Sequence, residues 1–113
     1  MKRKLLSVRE RVNYHSLEDV VGCKWSAGVI AAIGAGVTRP GELERYIPGI
    51  STKVLNERLR KLLAYGLISR KEFSGLPARV DYDLTSSGRK LARILEQLRE
   101  LNAEHQPRAS QHT

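Results

Sequence analysis

The stretch STKVLNERLRKLLAY, residues 51–65, constrains the fold more than any other part of the chain. Wound at 3.6 residues per turn, it gathers Val54, Leu55, Leu59, Leu62 and Leu63 on one side. Lys53, Glu57 and Arg60 fall on the opposite side, with Asn56 and Lys61 at its margins. Ser51 is suited to cap the start, because its hydroxyl accepts from a first-turn amide that lacks a helical partner. Gly66 is suited to close it, because glycine tolerates the left-handed backbone that ends many helices. A solvated charged face on a surface helix is the ordinary meaning of such a pattern. The flanking segments give it a more specific one.

Pro48-Gly49 breaks the chain just before this helix. Upstream, Pro40–Tyr46 reads as a short helix with Thr38 as its cap and with Leu43, Tyr46 and Ile47 turned to the core. Further upstream, residues 24–35 read as a buried helix. Trp25, Val29, Ile30 and Ile33 recur on it at helical spacing, and Gly28, Ala31 and Ala32 are small enough for another helix to approach closely. Trp25 reads as a core anchor. A further short helix is expected at 16–21, preceded by a basic arm at 1–15.

Downstream the period changes. Val80, Tyr82 and Leu84 alternate with Arg79, Asp81 and Asp83, the pattern of a half-buried strand with a charged solvent face. Residues 67–73 form its partner, and Ser74-Gly75-Leu76-Pro77 supplies the turn. Thr85 is suited to cap a last helix, 86–104. Leu91, Ile94, Leu95, Leu98 and Leu101 make on it an apolar stripe longer than so small a chain needs, and a second subunit is the natural cover. The tail, 106–113, is expected to be disordered.

Helix, turn, helix, hairpin and C-terminal helix, in that order, are the parts of a winged helix-turn-helix. The expected fold class is therefore mainly α with a small antiparallel β hairpin. The domain spans 16–105, with its recognition helix at 51–65, its wing at 67–84 and a dimerisation helix at 86–104.

The charge supports a polyanion partner. The net charge is +8. Residues 1–11 carry five basic side chains against one acidic, and residues 51–79 carry seven against two. Residues 12–50 and 80–113 are close to neutral. Basic side chains concentrated on one arm, one helix and one hairpin are the electrostatic footprint of nucleic-acid binding. Lys53 and Arg60 can donate to guanine, and Asn56 can pair with adenine through two hydrogen bonds. Ser51 and Thr52 stand at the helix start, near a base methyl or a phosphate. Arg39, Arg70, Lys71 and Arg79 are phosphate or minor-groove candidates, and Arg58, nearer the apolar side, suits a structural or phosphate role.

Other chemistry finds little support. His15, His105 and His112 are isolated, and GVIAAIGAG lacks the lysine and the strand of a phosphate loop. No metal or cofactor is expected. One cysteine, Cys23, excludes an intrachain disulfide. Lys24 and a nearby helix start would favour its thiolate, making a redox-responsive thiol one reading; a small buried side chain is the commoner one. No uncharged run is long enough to span a bilayer, and the N-terminus lacks a secretory signal, so a cytoplasmic protein is expected.

Several stretches resemble the HxlR-type family of winged-helix regulators, a branch close to the MarR-like proteins. They are Gly22-Cys23-Lys24-Trp25, similar to the family's Gly-Gly-Lys-Trp, then Glu42-Leu43, Pro48-Gly49-Ile50-Ser51 and Lys53-Val54-Leu55-Asn56-Glu57-Arg58-Leu59. Gly66-Leu67-Ile68-Ser69-Arg70 follows, and then Pro77-Ala78-Arg79-Val80-Asp81-Tyr82-Asp83-Leu84-Thr85-Ser86-Ser87-Gly88. The resemblance implies homodimeric transcription factors without enzymatic activity that place the helix from Ser51 in the major groove of double-stranded DNA and use the hairpin as a wing. Some members sense oxidants through a cysteine well before the Lys-Trp pair. Residues 11–15 hold none here, and Cys23 replaces a family glycine. The residues alone leave two rivals open, an architectural or RNA-binding winged helix and a protein-interaction module.

Overall fold

The computed structural model describes residues 24–105. The basic arm at 1–15, the helix expected at 16–21, Cys23 and the tail at 106–113 lie outside the described residues. Within them the chain forms α1 (Lys24–Gly34), α2 (Pro40–Tyr46), α3 (Thr52–Ala64), β1 (Ile68–Phe73), β2 (Arg79–Leu84) and α4 (Ser86–Glu104). The fold class expected from the sequence is the one observed: mainly helical, with a two-stranded antiparallel hairpin.

One core holds these elements together. Val29, Ile30 and Ile33 of α1 meet Leu43 of α2, Leu55, Leu59 and Leu62 of α3, Ile68, Tyr82 and Leu84 of the hairpin, and Leu91 of α4. Only one side of α1 is buried, however. Ala31 and Gly34 are exposed, so the helix is not enclosed all round as its composition suggested. Trp25 packs against the core as a partly buried anchor.

The ends of α3 follow their local chemistry. Ser51 Oγ accepts a hydrogen bond from the Val54 amide at 3.1 Å. At the other end Gly66 takes φ +72°. Its amide donates to the Leu63 carbonyl and that of Leu67 to the Leu62 carbonyl, both at 3.0 Å, so two last-turn carbonyls gain partners. This turn delivers Leu67 directly into the core, where β1 begins.

Three expectations are corrected. Thr38 does not cap α2; Arg39 holds the cap position and makes no side-chain cap bond. The Thr38 carbonyl instead accepts from the Tyr82 amide at 2.8 Å, so the segment before α2 lies along the outer edge of β2. Tyr46 is 55% exposed, because Leu43 and Ile47 already fill the inward side of so short a helix. Leu91, grouped by spacing with the dimerisation stripe, is 5% exposed and belongs to the chain's own core.

The hairpin and α4 are joined by Thr85. Its hydroxyl accepts from the Gly88 amide at 3.0 Å and donates to the Gly66 carbonyl at 2.6 Å. Its amide donates to the Leu67 carbonyl at 3.1 Å. One residue thus closes the base of the hairpin and caps α4. The first turn of α4 then lies so near the Leu67 backbone that a β-carbon at position 88 would stand 1.9 Å from the Leu67 carbonyl oxygen. Only glycine fits. We expect Gly88→Ala to lower stability by about 1–3 kcal/mol, as overpacking a tight contact does, and Tm by on the order of 10 °C. Thermal melting followed by circular dichroism measures this, and an unchanged Tm would contradict the close approach.

Candidate nucleic-acid interface

Burial of Leu55, Leu59 and Leu62 fixes the rotation of α3. Lys53, Asn56 and Arg60 are consequently exposed, as are Ser51 and Thr52 at the helix start. These side chains were expected at the interface, and the fold brings them to one end and one face of a single helix. Two of them have local duties. The Ser51 hydroxyl is the helix cap. The Thr52 hydroxyl donates to the Glu44 carboxylate of α2, which links the two helices of the motif. Arg58 is half-buried, and its Nε is enclosed without a hydrogen-bond partner among the described residues.

The hairpin divides the expected wing cations between its two faces. Its register pairs Arg70 with Tyr82, Lys71 with Asp81 and Phe73 with Arg79. Side chains alternate across a strand, so Arg70 shares the face of Ile68, Tyr82 and Leu84, beyond the edge of the core. There it pairs with Glu72. Hydrogen bonds to Glu72, and secondarily to Tyr82, raise the guanidinium pKa further above its already high ordinary value. Lys71 and Arg79 share the other face with Phe73. The Arg79 guanidinium carbon lies 4.4 Å from the centre of the Phe73 ring, and the Lys71 ammonium nitrogen 5.2 Å.

Arg39 connects the helices to the wing. Its Nε stands 3.6 Å from Oδ1 of Asp81. Asp81 was expected on the solvent face of β2, but its side chain is only 28% exposed. The segment carrying Arg39 packs along β2 and covers it. The sequence could not reveal this, because the covering segment lies some 40 residues away in the chain.

On α4, Ile94, Leu98 and Leu101 are 54, 46 and 50% exposed, while Leu95 is partly buried against the core. Leu95 and Leu98 also line an apolar groove whose other wall is the small-residue side of α1, including Ala27, Gly28 and Ala31. Arg99 pairs with Glu96 on the same helix, and this partner holds the Glu96 carboxyl below its ordinary value. Among the described residues no group of His, Cys, Asp and Glu is arranged to hold a metal ion. No described helix is long and apolar enough to cross a membrane. Sequence reasoning missed the link from Glu44 to Thr52 and the Phe73 platform. An aromatic residue flanking the turn beside cations was a signal for the second.

A helix-turn-helix with a polar, basic second helix, followed by a cation-bearing hairpin, defines a winged helix-turn-helix protein. The HxlR-like helix-turn-helix family model matches residues 20–110, and the chain belongs to that family. It is 41% identical over 81 residues to the HTH-type transcriptional regulator YkvN of Bacillus subtilis (strain 168), covering 72% of this chain and 69% of the relative. It is 37% identical over 87 residues to YtcD of the same organism, covering 77% and 69%. A crystal structure of the HTH-type regulator ytcD superposes with a TM-score of 0.75 at 33% identity, over 88% of this chain and 97% of that one. The redox regulator HypR in its reduced form gives 0.77 at 29% identity, over 88% and 98%. The family is one of DNA-binding transcriptional regulators.

The exposed position of Asn56 on α3 generates a direct expectation. On a duplex selected by the protein from a random pool, Asn56→Ala should cost about 1–3 kcal/mol of binding and relax preference at one position. Lys71→Gln should weaken all duplexes about equally and flatten the salt dependence. Competition titrations with selected and random duplexes separate the two. Unchanged binding of both duplexes by Asn56→Ala would refute its base-reading role.

Proposed function

We propose that this protein is a sequence-specific, double-stranded DNA-binding transcriptional regulator that acts as a homodimer. The observation that carries the reading is the exposed row Lys53, Asn56 and Arg60 on a helix whose rotation is fixed by buried leucines. These residue types match the hydrogen-bonding edges of bases in the major groove. The Ser51 end enters first, and Lys71 and Arg79 of the wing meet the flanking backbone. Arg39 contributes a phosphate contact from the start of α2 while holding the wing through Asp81. Arg70 is a weaker phosphate candidate, since Glu72 already partners it. Neutralised phosphates release counterions, which provides much of the affinity. The basic residues of the N-terminal arm add to this term.

The dimer is supported by the apolar surface left on α4. Ile94, Leu98 and Leu101 form an exposed stripe next to the groove against α1. Fully burying each of these side chains would contribute about 1.5–3 kcal/mol. Leu95 serves both the chain's own core and the edge of this stripe. A twofold dimer sets two copies of α3 into major grooves about 10 base pairs apart, or a multiple of that spacing. Gripping both half-sites at once raises the affinity far above that of one subunit.

Ile94→Asp combined with Leu98→Asp alters the exposed stripe and spares Leu91 and Leu95. This double variant should keep its helical signal, sediment as a monomer and lose tight binding to a two-half-site duplex. Analytical ultracentrifugation at micromolar concentration reads the first effect and fluorescence anisotropy the second. Wild-type protein that sediments as a monomer yet protects a full palindrome would contradict the homodimer.

A further inference from the structure

Leu76 is fully exposed, at 104% of its reference area, while the other exposed large apolar side chains among the described residues reach at most 55%. One exposed leucine is ordinary on a protein surface. The position of this one is not. The hairpin ladder ends at the pair Phe73 and Arg79, leaving residues 74–78 as the loop and Leu76 at its centre. The loop reads Ser74-Gly75-Leu76-Pro77-Ala78, without a charge. Immediately below it the Arg79 guanidinium and the Lys71 ammonium both lie against the Phe73 ring. A ring face attracts cations and restricts where they sit. The wing is therefore an apolar point mounted on a positively charged root.

The minor groove of a duplex has the complementary form. It is about 6 Å wide, too narrow for a helix but open to a loop, and a phosphate row stands along each side. Apolar side chains entering it from a protein loop unstack a base step and bend the duplex. We propose that the wing tip enters the minor groove with Leu76 as an apolar wedge, anchored by Lys71 and Arg79 on the flanking phosphates. This rests on the DNA-binding reading above and adds to it an apolar contact residue and a distortion of the DNA. Phe73 is the positioning residue, because it holds both cations at the root of the tip.

The test uses the full chain and a duplex enriched from a random pool by the wild-type protein, labelled at both ends for energy transfer. Binding of wild-type protein should shorten the end-to-end distance, and netropsin, which occupies the minor groove, should weaken binding. Leu76→Ser should bind at least about tenfold more weakly, because an apolar side chain no longer leaves water on binding, and should no longer shorten the duplex. Its salt dependence should match the wild type, since no charge is removed. Arg79→Gln should instead lower the salt slope by about one. Circular dichroism should show Leu76→Ser folded as wild type, because the side chain packs against nothing. Wild-type affinity and bending in Leu76→Ser would overturn the wedge and leave the DNA-binding reading standing. Failure of the wild-type protein to enrich any duplex would overturn both.

Discussion

Three leucines decide which side of α3 the solvent sees. Leu55, Leu59 and Leu62 are between 0 and 2% exposed, and each contributes about 1.5–3 kcal/mol on burial. Their sum is comparable with the whole stability of a typical domain, about 5–15 kcal/mol. Turning the helix by one residue would rotate it about 100° and bring the apolar stripe into water. The exposure of Lys53, Asn56 and Arg60 is therefore a consequence of hydrophobic packing, with no requirement for polar bonds of their own. The cap at Ser51 and the left-handed turn at Gly66 then set the length of the helix and the point where β1 begins.

The wing is positioned by backbone contacts more than by charge. Thr85 bonds to Gly66, Leu67 and Gly88, and the Tyr82 amide reaches the Thr38 carbonyl. These bonds hold both strands from the base of the hairpin. The pair Arg39 and Asp81 is half-exposed, and such a pair contributes at most about 1 kcal/mol. Its value lies in geometry: it ties the start of α2 to β2, so the helices and the hairpin present their basic side chains in a fixed relation. The same close packing explains why α4 begins where it does, against Leu67, and why position 88 holds a glycine.

Local signals in the sequence were legible, and features set by distant partners were not. The apolar spacing, cap and terminating glycine of α3 all lie within residues 51–66, so its ends and exposed face could be read directly. The alternation of β2 was equally clear. Thr38 looked like a cap because threonine before Arg-Pro suits that role, yet its backbone is occupied by a strand amide some 40 residues on. Tyr46 and Leu91 both lie at helical spacing on apolar stripes. One is exposed because α2 is short; the other is buried because α4 crosses the core only over its first turns. Leu76 could be read from the sequence as part of the hairpin tip, and the ladder register adds that it is the middle residue of a five-residue loop. The site was legible as a set of residue types, while their grouping was not. Lys71 and Arg79 fall together over Phe73, whereas Arg70 falls on the opposite face with Glu72.

The proposed function requires α3 to present its polar face to the major groove in two copies. Methylation interference on a selected duplex measures this, because methylation of guanine N7 adds a group only in the major groove. N7 methylation is expected to block binding in two clusters about 10 base pairs apart, or a multiple of that spacing. Binding that is unaffected by N7 methylation at every guanine of the protected region would contradict it.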